Sequence, residues 1–274
     1  MAFKKPLATQ FIHLDGRPLR IAIGGAPKAA RTMLLFNGIG ASIETVAPFI
    51  ECFERTRVVA FDVPGVGESP VPSLPYRLPR LADLAARLLD ALGIDEADVF
   101  GVSWGGAAAQ EFAIRHATRC RTLTLAATSA GFVMVPGRPG VLLKMLSPRR
   151  YLDPSYLVRI GGELYGGALR FEHDLLEMHA QAMREPSRLG YLYQLIATLG
   201  WTSWQRLHRI EAPVLVLMGA DDPIVPPING RILAGSLRDA TLETIDCGHL
   251  FVLTQPAATA RRIERFIDLH DGVL

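Results

Sequence analysis

The stretch that decides the fold is Val99-Phe100-Gly101-Val102-Ser103-Trp104-Gly105-Gly106. It begins as an apolar strand pattern, passes through a Gly-x-Ser-x-Gly pentapeptide and continues into the alanine-rich residues 107–109. Glycines on both sides of a serine permit a sharp turn from strand to helix, because a Cβ at either position would crowd the neighbouring backbone. Such a turn holds the serine hydroxyl clear of the sheet, so Ser103 is predicted to be a nucleophile.

The composition is typical of one domain with an insertion, since the chain has 274 residues of which 49% are hydrophobic. The formal net charge is +2 with both signs interspersed, and no basic stripe is present, so nucleic acid is not an expected partner. Residues 1–6 lead into no apolar segment, and no apolar run approaches the roughly 18 residues of a transmembrane segment. We therefore expect a soluble cytoplasmic protein, and a homo-oligomer remains open.

The three cysteines point to the same compartment. Cys52, Cys120 and Cys247 are odd in number and show no Cys-x-x-Cys spacing. An odd count without paired spacing argues against a disulfide framework, and it is typical of a reducing environment.

Short β-rich runs alternate with longer helical patterns. The predicted strands are Phe11–Leu14, Leu19–Ile23, Met33–Phe36, Val58–Phe61, Val99–Val102, Leu123–Ala127, Val214–Met218 and Thr241–Ile245. Several are continuously apolar, as strands covered on both faces must be. Leu81–Leu92 and Ala257–Leu269 have helical spacing. The alternation predicts an α/β fold, with a mostly parallel eight-stranded sheet flanked by helices.

The alternation is interrupted between about residues 131 and 210. This segment has no convincing strand pattern, whereas Leu175–Met183 and Gly190–Leu199 are helical in spacing. An insertion after the sixth strand would cover the carboxyl ends of the strands, where ligands bind in such sheets. We expect a core at 1–130 and 211–274, with a helical lid at 131–210.

A serine nucleophile needs a base and a carboxylate that orients the base. Of the seven histidines, only His249 follows a predicted strand end through a turn, and the other six are expected to be solvated or structurally satisfied. Asp222 is the predicted acid, because it follows the strand Val214–Met218. The spacing of Gly219, Asp222 and Pro226 also resembles the acid turn of hydrolases that have this type of serine turn. Asp221 is expected to cap or brace that turn. The order serine, acid, histidine accompanies this type of turn.

Two backbone N–H groups are candidates for stabilising an oxyanion. That of Trp104 lies at a predicted helix start, and that of Ile39 lies in the glycine-rich loop after the third strand. No His-Glu-x-x-His motif or cysteine cluster indicates a metal, and residues 62–69 lack the phosphate-loop signature. We expect no metal and no cofactor.

Together these residues resemble the α/β-hydrolase fold along nearly the whole chain. The motifs that carry the resemblance are Asn37-Gly38-Ile39-Gly40, Asp62-Val63-Pro64-Gly65-Val66-Gly67, the serine pentapeptide, the acid turn and Gly248-His249. Many members of this family begin the first of these loops with His-Gly, whereas this chain has Asn37. The difference affects only how a side chain braces the loop, because the expected oxyanion donor is a backbone N–H.

A closer resemblance is to the intracellular depolymerases of medium-chain-length poly(3-hydroxyalkanoates). It rests on Leu35–Ala41, Ala60–Gly67 and Gly101–Ala107, and in the insertion on Met134–Gly137, Ser147–Tyr151, Tyr165–Gly167 and Leu199–Ser203. The resemblance implies a serine enzyme that hydrolyses polyester through a hydroxyacyl-enzyme, releases 3-hydroxy acids or oligomers, and works in the cytoplasm at polyester granules. Candidates for lining its acyl channel are Met145, Met178, Met183, Trp201 and Trp204.

Other functions stay open at this point. A cytoplasmic carboxylesterase or lactonase for small soluble esters would use the same three residues. A C–C bond hydrolase or a perhydrolase without a cofactor is a further alternative. A receptor or granule-coat protein of this fold could keep the pocket without turnover. The presence of serine, acid and histidine together argues against the last alternative.

Overall fold

A single sheet of eight strands organises the protein in a computed structural model that describes residues 7–26, 28–147, 149–183 and 187–271. The strands are β1 (Thr9–Leu14), β2 (Arg17–Gly25), β3 (Arg31–Phe36), β4 (Thr56–Phe61), β5 (Ala97–Val102), β6 (Cys120–Ala126), β7 (Val214–Gly219) and β8 (Ala240–Ile245). Their order across the sheet is β1-β2-β4-β3-β5-β6-β7-β8. β1 and β2 are antiparallel to each other, as are β2 and β4, and the remaining pairs are parallel. The predicted mostly parallel sheet is confirmed.

Both faces of the sheet are covered, which explains why its central strands are apolar at successive positions. In β3, Leu34 and Phe36 pack into the hydrophobic core on one face, and Met33 and Leu35 pack into the core on the other. This alternation follows from the two-residue period of a strand. The sheet therefore lies between two separate hydrophobic layers.

Helices form those layers and the connection between β6 and β7. The α-helices are α1 (Ile43–Ile50), α2 (Leu78–Ala91), α3 (Trp104–Arg115), α4 (Pro139–Leu146), α5 (Arg149–Leu152), α6 (Pro154–Tyr165), α7 (His173–Ala182), α8 (Arg188–Thr198), α9 (Ile228–Ala234), α10 (Phe251–Thr254) and α11 (Pro256–Leu269), and short 3₁₀ helices occupy Ala117–Arg119, Gly167–Arg170 and Trp204–Arg209. Buried residues of α2, α3 and α9 contribute to one core, and those of α1, α10 and α11 contribute to the other.

The sequence pattern predicted α2 and α11 but missed α1. That helix has only eight residues and carries Pro48 inside it, and proline disfavours a helix interior. α1 buries Val46, Phe49 and Ile50 against the sheet, so tertiary packing compensates for the poor local propensity.

The segment between β6 and β7 is helical, as its sequence predicts. It contains α4 to α8 and two of the 3₁₀ helices, and the only β-pairing among its described residues is an isolated bridge between Gly131 and Thr202. That bridge brings the two ends of the segment together. The chain thus leaves the sheet after β6 and returns to it at β7.

Parallel pairing brings the carboxyl ends of β3 to β8 to one edge of the sheet. The loop after β3 is held there by Asp62, a buried carboxylate just after β4 that accepts the Ile43 N–H at 2.8 Å and an Arg20 N–H at 3.0 Å. Asp62 thereby fixes the start of α1 relative to the sheet. In the part of the chain that the structure describes, no helix has both the length and the apolar character that a membrane crossing requires.

Candidate active site

Ser103 lies in a strained turn between β5 and α3. Its φ of 55° and ψ of −119° are unusual for a residue other than glycine. The turn is tight because α3 approaches the β3 backbone, and a Cβ on Gly105 would lie 2.2 Å from the Phe36 carbonyl oxygen. The Ser103 N–H donates to the Ala126 carbonyl oxygen at 2.8 Å, which fixes the turn to β6. The serine hydroxyl is therefore held at the carboxyl edge of the sheet.

His249 and Asp222 come from the loops after β8 and β7 and meet Ser103 at this edge. The Ser103 hydroxyl donates to His249 Nε2 at 3.0 Å, and His249 Nδ1–H donates to Asp222 Oδ2 at 2.7 Å. Both partners of the serine are buried, and Asp222 Oδ1 accepts two backbone N–H groups, from Ile224 and Val225, at 2.9 Å each. The arrangement can move a proton from a serine hydroxyl to an imidazole whose orientation and tautomer are fixed by a carboxylate.

The neighbouring Asp221 has a different set of partners. It forms an ion pair with Arg170, whose Nη1 donates to Oδ2 and whose Nη2 donates to Oδ1 at 3.0 Å. Asp221 Oδ2 also accepts the Gly167 N–H at 2.9 Å. The Arg170 guanidinium beside it lowers the pKa of Asp221. Asp221 therefore ties the insertion to the loop that carries Asp222.

A second contact ties the insertion to the histidine loop. The His249 N–H donates to the Tyr165 carbonyl oxygen at 2.7 Å. A Cβ on Gly167, whose φ is +54°, would lie 2.1 Å from the Gly248 nitrogen, so the two loops touch through their backbones. The end of α6 and the 3₁₀ helix after it are thus part of the wall that holds His249 and Asp222.

The residues of the two predicted oxyanion donors, Trp104 and Ile39, both lie beside Ser103. Trp104 is the first residue of α3, where backbone N–H groups have no acceptor within the helix, and Ile39 lines the same cavity as Ser103. Asn37 braces the Ile39 loop, because its side chain donates to the Ser42 carbonyl oxygen at 2.9 Å and accepts the Gly38 N–H at 2.9 Å. Asn37 therefore holds the loop that carries Ile39 through its side chain.

α8 contacts both the Ile39 loop and Trp104 through one residue, Gln194. Gln194 Oε1 accepts the Gly40 N–H at 2.8 Å, and the Gln194 carbonyl oxygen accepts the Trp104 indole N–H at 3.0 Å. Gln194 is fully buried, so these hydrogen bonds are shielded from water. One residue of the insertion thereby holds the Ile39 loop and the side chain that follows Ser103.

Two cavities adjoin Ser103. The first, which we call the His179 cavity, has a volume of about 60 Å³ and is lined by Ser103, His249, Ile39, Met145, Met183, Arg150, Tyr165, His179 and further residues of the core and insertion. The second, the Trp201 cavity, has a volume of about 270 Å³ and is lined by Ser103, Trp104, Phe132, Met134, Thr198, Trp201 and neighbouring side chains. Three of the predicted channel residues, Met145, Met183 and Trp201, therefore lie at a cavity beside the serine.

The other two predicted channel residues, Met178 and Trp204, line neither cavity. Met178 is 58% exposed because α7 buries the opposite face, with Leu176 and Ala180. Trp204 is 43% exposed at the start of a 3₁₀ helix. In contrast, Trp201 is anchored toward the core, since its indole N–H donates to the buried Glu111 carboxylate at 2.9 Å. The prediction for Met178 and Trp204 thus does not agree with where the structure places their side chains.

Sequence reasoning missed three polar residues of the His179 cavity, namely Arg150, Tyr165 and His179. His179 was expected to be an ordinary histidine of the insertion, but it is only 8% exposed, and burial together with the Arg150 charge lowers its pKa to about 4. Arg150 is 3% exposed although it follows another arginine in sequence. Arg150 lies within the Ser147–Tyr151 motif, but neither that motif nor the sequence around His179 indicates burial, because burial depends on how the helices of the insertion pack.

Within the described ranges, no group of three or more His, Cys, Asp or Glu side chains is arranged to hold a metal ion. Cys52, Cys120 and Cys247 all lie in the described part of the chain and form no disulfide there. The Cys247 thiol, near His249, forms a 2.9 Å hydrogen bond with the Thr254 hydroxyl.

The sheet order, the serine turn and the loops that carry Asp222 and His249 define a class of protein. The chain belongs to the α/β hydrolase fold family, whose sequence model matches residues 31–256. It is 48% identical over 264 residues to a poly(3-hydroxyalkanoate) depolymerase of Ectopseudomonas oleovorans, and the match covers 96% of this chain and 93% of that protein. The protein is therefore a hydrolase of this fold, and its predicted similarity to poly(3-hydroxyalkanoate) depolymerases is confirmed.

More distant relatives share the fold. A 3-oxoadipate enol-lactonase of Acinetobacter baylyi is 27% identical over 239 residues, covering 86% of this chain and 89% of that protein. Among solved structures, an enol-lactonase from Burkholderia xenovorans LB400 superimposes with a TM-score of 0.81 at 24% identity, covering 94% of this chain and all of that one. At that identity the similarity concerns the fold alone.

Proposed function

We propose that this protein is a cytoplasmic depolymerase that hydrolyses medium-chain-length poly(3-hydroxyalkanoate) at the surface of its granules. The observation that carries the proposal is the hydrogen-bonded series Ser103, His249 and Asp222 beside two cavities that the insertion helps to line. The 48% identical depolymerase supports a polyester as the substrate. The insertion, at residues 131–210, acts as the lid of the core formed by 1–130 and 211–274.

Hydrolysis proceeds in two steps through an acyl-enzyme. Ser103 Oγ attacks an ester carbonyl carbon while His249 Nε2 takes the hydroxyl proton, and the Asp222 carboxylate stabilises the imidazolium that forms. The N–H groups of Ile39 and Trp104 stabilise the oxyanion. The imidazolium then protonates the departing alcohol oxygen, and a water molecule hydrolyses the hydroxyacyl ester on Ser103 with His249 again as base.

The surface of the insertion supports an insoluble substrate. Of the fifteen large apolar side chains that are exposed among the described residues, eleven lie between Phe132 and Trp204. Exposed apolar patches are typical of surfaces that contact another apolar phase. A granule of aliphatic polyester presents such a phase, so the insertion would face the polymer while the serine lies beneath it.

The second candidate is a carboxylesterase or lactonase for small soluble esters. The observation in its favour is the volume of the His179 cavity, about 60 Å³, which accepts only a small group. The similarity to a 3-oxoadipate enol-lactonase agrees with this alternative. Both candidates use the same three residues, so only the substrate distinguishes them.

A paired assay tests the proposal. Purified protein is mixed with latexes of poly(3-hydroxyoctanoate) and poly(3-hydroxybutyrate) of matched particle area, and turbidity and released hydroxy acids are measured. We expect the octanoate polymer to be hydrolysed about ten to a hundred times faster, because each methylene buried beside Met145, Met183 or Trp201 can contribute up to about 0.8 kcal/mol.

The Ser103→Ala variant and short p-nitrophenyl esters are the controls. The variant should lose at least three orders of magnitude of activity on every ester and keep its unfolding temperature, since the hydroxyl contributes little packing. Cleavage of the soluble esters alone would favour the carboxylesterase. Preference for the butyrate polymer would leave the depolymerase standing but contradict the medium-chain assignment.

A further inference from the structure

A buried carboxylate connects the helix that follows Ser103 to the insertion. Glu111, in α3, is 1% exposed. Its Oε2 accepts the Trp201 indole N–H at 2.9 Å and an Arg206 N–H at 2.8 Å, and its Oε1 accepts a second Arg206 N–H at 3.0 Å. Burial of a carboxylate is costly unless its oxygens accept hydrogen bonds, and both oxygens do so here. Glu111 therefore holds two side chains from the end of the insertion against α3.

The backbone of Trp201 is fixed by the beginning of the insertion. The Trp201 carbonyl oxygen accepts the Phe132 N–H at 3.1 Å, next to the bridge between Gly131 and Thr202. A Cβ on Gly131 would lie 2.3 Å from that carbonyl oxygen, so the two segments pack with no room for a side chain between them. Residues 131–132 and 201–202 thus form one unit, and the hydrogen bond to Glu111 sets the rotation of the indole ring within it.

This unit lines the Trp201 cavity beside Ser103. Ala107 lines the cavity as well, and it lies four residues before Glu111, on the same face of α3. The described lining residues include no charged side chain, and the other apolar ones are Trp104, Phe132, Met134 and Val225. One face of α3 therefore carries both a wall of the cavity and the carboxylate that fixes the Trp201 wall.

The chemistry of the serine and histidine indicates which part of a substrate enters this cavity. His249 must protonate the oxygen of the departing alcohol, so the leaving unit lies on the side of Ser103 that His249 lines. Among the described residues, His249 lines the His179 cavity and does not line the Trp201 cavity. The unit whose carbonyl carbon becomes bonded to Ser103 is therefore directed to the Trp201 cavity.

The volume of the Trp201 cavity suits an aliphatic side chain. The cavity measures about 270 Å³, whereas roughly 150 Å³ is enough for an apolar cavity to enclose a benzene ring. The pentyl side chain of a 3-hydroxyoctanoate unit has fewer carbon atoms than that ring, so it fits. A Trp201 ring held in one orientation then limits how long a side chain the cavity accepts.

We propose that Glu111 is a positioning residue for acyl-chain specificity. By holding the Trp201 indole, it sets the size of the cavity that receives the aliphatic side chain of the unit acylated on Ser103. The proposal rests on the function proposed above and deepens it. Glu111 is not among the described residues that line either cavity, so it acts through Trp201 and not through contact with the substrate.

Soluble p-nitrophenyl esters measure this specificity, because the octanoate has the carbon chain of a 3-hydroxyoctanoate unit and the butanoate is a short reference in the same assay. Each buried methylene can contribute a factor of up to about four, so the wild-type kcat/KM should be about ten to a hundred times higher for the octanoate. It should stop rising by the dodecanoate. This measurement needs no variant, and a preference for butanoate or a continued rise to the dodecanoate would overturn the proposal.

A double-mutant cycle tests whether Glu111 acts through the indole N–H. Glu111→Met removes the acceptor, and the octanoate-to-butanoate ratio of kcat/KM should fall at least about fivefold, mainly through a higher KM for the octanoate. Glu111→Gln keeps a carbonyl oxygen for the indole and should give an intermediate ratio. In a Trp201→Phe background, which has no indole N–H, Glu111→Met should change the ratio by less than about twofold. An equal effect in both backgrounds, or a loss of activity on both esters at an unchanged ratio, would overturn the proposal.

Two further variants test the network and the cavity separately. Asp83→Asn is the matched control, because Asp83 forms an ion pair with Arg115 of the same helix at 3.0 Å and is not among the described residues lining either cavity, so its ratio should equal that of the wild type. Ala107→Leu places a larger side chain at the cavity and leaves Glu111 and Trp201 intact, and its ratio should fall to about one. A folded Ala107→Leu with the wild-type ratio would show that the acyl chain lies elsewhere and would overturn the proposal.

The outcomes also separate this proposal from the function on which it rests. Serine-dependent hydrolysis of the latex, together with an octanoate-to-butanoate ratio that Glu111→Met leaves unchanged, would refute the role of Glu111 and keep the depolymerase. The expected ratios on the soluble esters without attack on any latex would support the role of Glu111 and refute the polymer substrate.

Discussion

Two adjacent aspartates have distinct partners, and this distinction predicts distinct effects of the same substitution. Asp222→Asn removes the carboxylate that accepts the His249 Nδ1–H, and we expect kcat to fall by roughly three to four orders of magnitude because the wrong tautomer is favoured. Asp221→Asn keeps an acceptor for the Gly167 N–H and loses only the charge opposite Arg170, so its loss should stay within about tenfold. Kinetics on a p-nitrophenyl ester, with thermal unfolding of both variants, provide the comparison. Equal losses would show that the acid has been assigned to the wrong aspartate.

The buried His179 predicts a pH dependence of stability. Its pKa is about 4 in the folded protein and about 6.5 in an unfolded chain. Between these values the unfolded state binds a proton that the folded state does not, so the free energy of unfolding should decrease as the pH falls from about 6.5 to 4. His179→Phe should show a shallower decrease than the wild type in urea titrations across this range. The exposed His208 is the control, and His208→Gln should keep the wild-type slope, whereas identical slopes in all three proteins would contradict the prediction.

Local sequence identified some residues of the site and missed others for a physical reason. Ser103, Asp222 and His249 stand in short patterns that a sharp turn after a strand requires, and the structure brings them within hydrogen-bond distance. Arg150 and His179 have no such pattern. Their place in the cavity depends on which face each helix of the insertion turns inward, and one helix can bury His179 while it exposes Met178.

At the scale of elements, α8 is coupled to the candidate oxyanion site through Gln194. Gln194→Met keeps the size of the side chain but removes the acceptor for the Gly40 N–H, and we expect about 1–3 kcal/mol of lost stability because that N–H stays buried. We also expect a lower kcat, since Ile39 adjoins Gly40, with little change in KM. Denaturant unfolding and steady-state kinetics measure the two effects.

Leu192 on the same helix offers the matched control. It is 48% exposed, so Leu192→Gln should change stability by no more than about 0.5 kcal/mol and leave kcat unchanged. If Gln194→Met also behaved in this way, α8 would have no part in holding the Ile39 loop.

Elements with a strong pattern were predicted and those without one were missed. The eight strands stand out as short β-rich runs, several of them continuously apolar, and α2 and α11 stand out by their helical spacing. α1 has only eight residues and contains Pro48, and it forms because its apolar side chains pack on the sheet. The sequence pattern also does not indicate the order of the strands across the sheet. It reflects the handedness of the connections and the pairing of β3 between β4 and β5, which are properties of the assembled sheet.

At the scale of the whole molecule, the uneven distribution of exposed apolar side chains predicts where a polymer surface would be contacted. Leu143, Phe171 and Leu199 of the insertion are each at least 70% exposed and line neither cavity beside Ser103. Replacing all three with serine should lower the rate on poly(3-hydroxyoctanoate) latex about tenfold or more through weaker adsorption, and leave kcat/KM on a soluble p-nitrophenyl ester unchanged.

A triple variant on the core supplies the comparison for this prediction. Phe11, Leu74 and Leu269 are exposed apolar residues outside the insertion, and their replacement with serine should alter neither rate. The measurement is latex turbidity beside soluble-ester kinetics and sedimentation with the particles. A latex rate that falls equally in both triple variants would mean that the exposed apolar residues act through general adhesion and not through the insertion.

The backbone contacts of residues 165–170 with the loops of Asp222 and His249 have a consequence for recombining this protein with its relatives. A helix can be replaced by the corresponding helix of a relative when it contacts the rest of the protein through side chains, because each of those side chains can be substituted separately. Here the junction is made by the Tyr165 carbonyl oxygen, the Gly167 N–H and the close approach of Gly167 to Gly248. Chimeras that import foreign helices should therefore retain residues 165–170 of the host, and crossover points belong before Tyr165 and after Arg170.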